Sequence, residues 1–545
     1  MNFKNLPFIL LFGSGLILYA CKGKSCKYST TDSLPVYLPF DSTQLILHPN
    51  FSGKDSIWKQ DLTDWYRSFG FHLAWFKNGE RIEYAEFLLQ ISRDGQEPAD
   101  TNLNRMVLEI TEKMENLPAP SDSGFIQEAL KVEVSLSLLF LNYANQHWVG
   151  ISEESRQKTG WHIPGIGKKP IQLLSEFLFS SDHSDFQRKV VYSQHGKLEQ
   201  WLGKYQKIKN SGGWPKIKWP QERLKSGDTA SVLTDLRKYL FITGDLSENS
   251  ELPVLDTTLA VGIRAFQRRH GLYENGIPDL LTIRAMSYSV EDRIRQILIN
   301  MERCRWVPPE PKGKYLAVNI PDFRLMVLEN QQLLWACRAV VGREKTGTVI
   351  FSNQLQTVVF NPYWNIPRSI LVNEILPKVR NNSGYLASQN MEVYTSGGTV
   401  VPASSINWNE YSGRSFPYNI RQKPGRNNAL GKVKFLLPNE HNIYLHDTPA
   451  KSLFAEPIRA FSHGCIRIQE PVRLAKELLK GDPEWTEEKI QIAMEGSQET
   501  QVKLRESVPV FITYFTSWVD SIGQIHFRED IYKHDSKTGE ILFPE

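Results

Sequence analysis

The hydrophobic period of this chain changes once, near residue 314, and that change divides it into two kinds of structure. Before it, apolar residues recur at helical spacing. Leu136, Leu139, Phe140 and Tyr143 form one stripe, and Leu233, Leu236 and Leu240 a second. Leu259, Ile263 and Phe266 form a third at i, i+4 and i+7, and Ile294, Leu298 and Met301 a fourth. After it, residues 315–320 and 323–341 alternate with a period of two about a turn at Asn330-Gln331, which predicts a hairpin. Further strands are expected at 356–360, 432–437, 442–445 and 508–515, with one helix at 471–480. The fold class is therefore multi-domain α+β, a helical N-terminal part followed by a mainly β domain with few helices. At about 150 residues per domain, 545 residues suit three or four domains.

The boundaries follow from composition. Lys4 and an apolar run over 6–20, ending at Cys21, read as a signal peptide too short to span a membrane. The tail Leu18-Tyr19-Ala20-Cys21 resembles a bacterial lipobox, which implies lipidation of Cys21. Residues 21–55 are polar and read as a tether, and 56–220 as a helical scaffold whose last part, 201–220, is a linker or insertion. A small three-helix unit covers 221–290, a connecting helix 291–311 and the mainly β domain 312–545, with an Asn-, Ser- and Gly-rich flap at about 366–430. Net charge is +4 with no concentrated basic stripe, so there is no footprint for nucleic acid. The five cysteines, Cys21, Cys26, Cys304, Cys337 and Cys465, lack zinc spacing and form no dense disulfide framework.

The chemistry concentrates in Tyr444-Leu445-His446-Asp447-Thr448-Pro449 and Ser462-His463-Gly464-Cys465-Ile466-Arg467, with fifteen residues between His446 and Ser462. A cysteine attacks a carbonyl as thiolate, and an adjacent imidazole supplies the base. His446 and His463 are both placed to do so. Gly464 permits a sharp bend before Cys465. The helix expected near Pro471 offers its N-terminus to negative charge. The N–H groups of Gly464 and Cys465 are candidate oxyanion donors.

This arrangement resembles the YkuD-type L,D-transpeptidase catalytic domain, whose signature is a histidine, roughly fifteen residues, then Ser/Thr-His-Gly-Cys. The resemblance implies Cys465 as nucleophile and His446 as proton donor and acceptor. It also implies the main-chain carbonyl of Asp447 as third member, with Ser462, His463 and Gly464 shaping the site. Two positions depart from the pattern. Arg467 replaces asparagine and could grip a substrate carboxylate bidentately, and Thr348-Val349 replaces Thr-Pro. Arg467, the stretch 361–367 with Trp364, and the stretch 424–431 are similar to the large multi-domain (YcbB-like) branch. Trp364 is a substrate-stacking candidate. In the three-helix unit, Phe266-Gln267 through Gly271-Leu272, Gly276 and Thr282 resemble a peptidoglycan-binding module. The family resemblance implies release of D-Ala from a stem tetrapeptide, a Cys465 thioester, and transfer to a stem-peptide amine. No cofactor or metal is implied. The alternatives are an L,D-carboxypeptidase or endopeptidase, or a non-catalytic wall-binding lipoprotein. The implied partners are peptidoglycan and, through Cys21, a membrane, in the periplasm of the bacterial cell envelope.

Overall fold

The computed structural model describes residues 37–544 apart from 47, 49–50, 52, 95–100, 166, 181–185, 220–223, 310 and 413–414. The leader and Cys21 lie outside the described residues. No helix among the described residues is long and apolar enough to cross a membrane.

The helical part is organised by α1 (Phe125–Ala144), whose Leu136, Leu139, Phe140 and Tyr143 are all buried. Its Glu133 is fully buried and bonded on every side. The carboxylate accepts from the Tyr66 hydroxyl and Ala74 N at 2.7 Å and from Trp75 N at 3.0 Å, while burial lifts its pKa to about 7. The segment expected as a tether is packed from Tyr37 onward. Leu38 and Phe40 pair with Phe71 and Leu73, and Leu45 is fully buried, so the polar composition concealed an apolar edge. Residues 201–210 are likewise not a linker but part of α2 (Gln194–Asn210), with Leu202 and Tyr205 inside.

The three-helix unit consists of α3 (Val232–Ile242), α4 (Thr257–Arg269) and α5 (Leu280–Met286) around its own apolar core. Asp256 and Asp279 cap the last two by accepting backbone N–H bonds. Buried Gln267 ties the turn after α4, donating to Asn275, Ile277 O and Thr282 and accepting from Gly276 N. Helix α6 (Val290–Cys304) then leads to the β domain.

Its strands are β1 (Lys314–Asn319), β2 (Arg324–Glu329), β3 (Gln332–Gly342), β4 (Phe351–Phe360), β5 (Val433–Leu436), β6 (Leu445–His446), β7 (Ala460–Ser462), β8 (Ile466–Ile468) and β9 (Thr500–Thr513). Asn330 and Gln331 both adopt positive φ, 49° and 70°, the conformation of a two-residue hairpin turn between β2 and β3. The sheet runs β3-β8-β6-β5-β4-β9-β1-β2, and β2 pairs back onto β3, so it closes on itself with β7 as a flank. Leu316, Val318, Leu325, Val327, Val358, Phe435, Leu445 and Ile466 fill the interior. Helix α7 (Pro471–Leu478) packs outside. The helical part is fastened to this barrel at several points. His162 N donates to Ile350 O, the Gln194 amide bonds both N and O of Val519, and Asn300 bonds Thr516.

The flap is a folded lobe rather than a loop. Its strands Trp364–Asn365, Asn419–Gln422, Met391–Tyr394 and Val400–Val401 form a separate four-stranded sheet in that order. Ile370, Leu371, Ile375, Val379, Val393 and Ile420 form its core. Buried Asn428 clasps the lobe's return to the barrel, donating to Pro362 O and Lys423 O at 3.0 Å and accepting from Leu430 N.

Candidate functional site

Strands β6 and β8 run parallel, with Leu445 opposite Ile466 and His446 opposite Arg467. Because strand side chains alternate, Leu445 and Ile466 enter the core while Tyr444, His446, Cys465 and Arg467 share the outer face. His446 is the diagonal neighbour of Cys465, roughly 8 Å away between Cα positions by strand spacing and rise. Asp447 continues the strand, its N–H donating to Val433 O. Its main-chain carbonyl lies 2.5 Å from Nδ1 of His446. A proton held there leaves Nε2 as the acceptor. The Asp447 carboxylate is occupied elsewhere, accepting from Lys432 N, Thr448 N and the Lys451 ammonium.

The turn between β7 and β8 presents the thiol. Buried Ser462 locks it, its Oγ donating to Cys465 O at 2.6 Å and accepting from Gly464 N at 3.1 Å. Thr348, at the position of the family's Thr-Pro, donates to Gly464 O at 2.8 Å and accepts from Gly342 N. Gly464 has φ of +120°, and a Cβ placed there would have nothing closer than 3.9 Å. Backbone conformation, not space, therefore selects glycine. Ser462→Ala strands two buried groups. It is expected to cost about 1–3 kcal/mol of stability, read as a lowered urea midpoint, with a larger proportional loss of activity because the turn that aims Cys465 relaxes.

Two expectations are corrected. The Gly464 N–H is committed to Ser462, which leaves the Cys465 N–H as the turn's oxyanion candidate. Cys465 leads into strand β8, and α7 begins at Pro471 as expected, but six residues on and roughly 15–20 Å away at strand rise. The negative end of a thiolate gains nothing from it at that range.

The electrostatics favour a neutral resting pair. Burial, and secondarily the Arg467 guanidinium, hold His446 down at about 3. Burial pushes the Cys465 thiol up, opposed by hydrogen bonds from the Tyr444 N–H and hydroxyl and by Arg467. The thiol also contacts Asn442 O at 3.6 Å. At neutral pH the site therefore holds imidazole and thiol rather than a preformed ion pair. Iodoacetamide alkylation of Cys465, followed by peptide mass spectrometry, is expected to rise only above pH 9. A rate plateau beginning near pH 5 would instead reveal a standing thiolate–imidazolium pair.

Arg467 is half-buried beside both groups. Its Nε has no hydrogen-bond partner, and burial lowers its pKa. His463 turns away to the flap, where Nε2 meets Glu374 at 2.7 Å. Trp364 sits half-buried against the flap core, in register with Gln422. Tyr444 and Thr348 are the site residues that sequence reasoning did not assign. The only signal was their placement in or near the motif, because their partners are distant in sequence.

Residues 313–492 match the family model of the YkuD L,D-transpeptidase catalytic domain, and residues 60–194 match a scaffold domain. The chain is similar to a putative L,D-transpeptidase of Haemophilus influenzae, 36% identical over 248 residues, which is 45% of this chain and 50% of that protein. It thus spans about half the length of that curated relative. Similar solved structures include an L,D-transpeptidase fragment from Xylanimonas cellulosilytica, 11% identical over 54% of this chain and 99% of that one, TM-score 0.18. Another is an L,D-transpeptidase from Stackebrandtia nassauensis, 12% identical over 54% of this chain and 97% of that one, TM-score 0.22. Residues 313–492, which carry His446 and Cys465, thus match the YkuD L,D-transpeptidase catalytic domain, beside a matched scaffold domain.

Proposed function

We propose that this protein crosslinks peptidoglycan by L,D-transpeptidation through a Cys465 thioester. Arg467 is the observation that carries the reading. It is a guanidinium with a buried, partnerless Nε, on the same outer face as Cys465 and His446. Such a group asks for an anion, and the carboxylate of a terminal D-Ala supplies one in planar, bidentate geometry. That contact sets the preceding carbonyl against the sulfur.

His446 Nε2 takes the Cys465 proton as Sγ attacks the carbonyl of the third stem residue. The Cys465 N–H stabilises the oxyanion. The tetrahedral adduct collapses, breaking the C–N bond, and His446 returns the proton to the departing D-Ala amine. An acceptor stem's side-chain amine then attacks the thioester, passing a proton to His446. The amide forms and His446 reprotonates the thiolate, which restores the starting state. The flap lobe, which reaches the cysteine turn through Glu374 and His463, supports an amine rather than water as acceptor by restricting solvent. The three-helix unit would hold the polymer, and the leader with Cys21 would place the protein in the cell envelope, anchored to a membrane.

Mass spectrometry of muropeptides after incubation of purified sacculi with the full chain tests this. Dimers linked between third residues, with free D-Ala, are expected. Tripeptides without new dimers would assign trimming instead, and unchanged muropeptides would overturn the proposal.

A further inference from the structure

A cavity of about 1190 Å³ lies away from Cys465, where the end of α4 and its following turn meet the outer face of β1, β2 and β3. The three-helix unit is docked over it. The Tyr273 hydroxyl donates to Ala455 O at 2.9 Å, and Arg528 Nη1 donates to Arg269 O at 2.9 Å.

Three arginines gather at one place on the cavity wall, whose lining elsewhere carries carboxylates as well, and two of them, Arg324 and Arg338, are exposed. Arg324 and Arg338 are direct cross-strand partners on β2 and β3, so their side chains leave the same face side by side. Arg459 joins them from the loop that leads into β7, its guanidinium donating to Ala339 O and Phe323 O, each next in sequence to one of that pair. Like charges directly opposite are destabilising, and among the described residues none of the three has a carboxylate within 4 Å. The adjacent Asp322 carboxylate is occupied by Arg528, at 2.9 Å to Nε and 2.7 Å to Nη2. Glu456 offers Arg459 its main-chain carbonyl. Burial, with repulsion from Arg338 second, pulls Arg459 down to about 10, and Asp322 offsets this only in part. An anion in the cavity would relieve that repulsion. Met326, Leu333 and Ile458 add apolar surface suited to the methyl groups of alanine.

We infer that Arg324, Arg338 and Arg459 form a second anion site, taking the free carboxylates of another peptide stem of the wall polymer while the three-helix unit covers it. The inference rests on the reading that the chain acts on peptidoglycan. The two sites are close but separate. Gln469 N donates to Arg338 O, and Gln469 lies four residues along the chain from Cys465, roughly 13 Å at strand rise.

The test titrates full-length Cys465→Ala protein by calorimetry with a purified disaccharide tetrapeptide, and with the same compound after amidation of its carboxylates. The parent is expected to show two binding events, both lost on amidation. Arg324→Gln with Arg338→Gln should weaken one event about tenfold or more, Arg338→Lys should retain most of it, and Arg467→Gln should remove the other. An unchanged isotherm for the double arginine variant, with its melting temperature preserved, overturns the second site. So does equal binding of the amidated ligand. D-Ala release by the wild-type protein, measured separately, reports on the catalytic reading, so failure of one is distinguishable from failure of the other.

Discussion

Cys465→Ala is expected to lower D-Ala release from tetrapeptide stems by about 10⁴-fold or more, with a melting temperature within a few degrees of wild type. The activity loss is large because the thioester route has no substitute nucleophile nearby. Cys304 and Cys337 are the other free cysteines among the described residues, and both are buried. The stability loss is small because Cys465 is only partly buried and its turn is held by Ser462 and Thr348, not by the thiol. Residual activity within tenfold of wild type would remove Cys465 from the chemistry.

His446→Gln is expected to cost about 10²–10⁴-fold in turnover. Glutamine preserves bulk and a donor toward Asp447 O but accepts no proton from the thiol. His463→Gln should cost less than about tenfold, since His463 faces Glu374 on the flap. The same substitution at His446 carries a second signature. Burial holds the folded-state pKa of His446 near 3, below the ordinary value of 6.5, so the unfolded chain binds a proton that the folded chain refuses. Its contribution to stability is complete above pH 6.5 and lost as pH falls toward 3. His446→Gln should therefore flatten part of the acid decline in melting temperature. An identical decline in wild type and variant would contradict the assigned burial.

The helical stripes and the first hairpin were legible because their signals are local. A period of 3.6 places Leu136, Leu139, Phe140 and Tyr143 on one face, and Asn330-Gln331 is a two-residue turn between alternating strands. The cysteine motif was legible for the same reason. What stayed hidden depends on distant partners. Closure of the sheet needs the register of β3 on β8 and of β1 on β9, which no local window contains. The flap read as a loop because its strands are two to four residues long and embedded in Asn, Ser and Gly. The strand after Cys465 went unassigned because Ile466-Arg467-Ile468 is too short to show a period. Thr348 looked like a local variation, yet its hydroxyl holds Gly464 from 116 residues away. The unneutralised arginines on β2 and β3 emerged only from cross-strand register.

The central claim is that a stem peptide becomes covalently attached to Cys465 as D-Ala leaves. Rapid acid quenching of the full chain with a tetrapeptide muropeptide, followed by intact-protein mass spectrometry and peptide mapping, measures it directly. The predicted result is a mass increase equal to the donor minus its terminal D-Ala, confined to the peptide that contains Cys465 and absent from Cys465→Ala. Free D-Ala produced at the wild-type rate by Cys465→Ala, or an adduct mapped to another residue, would contradict it.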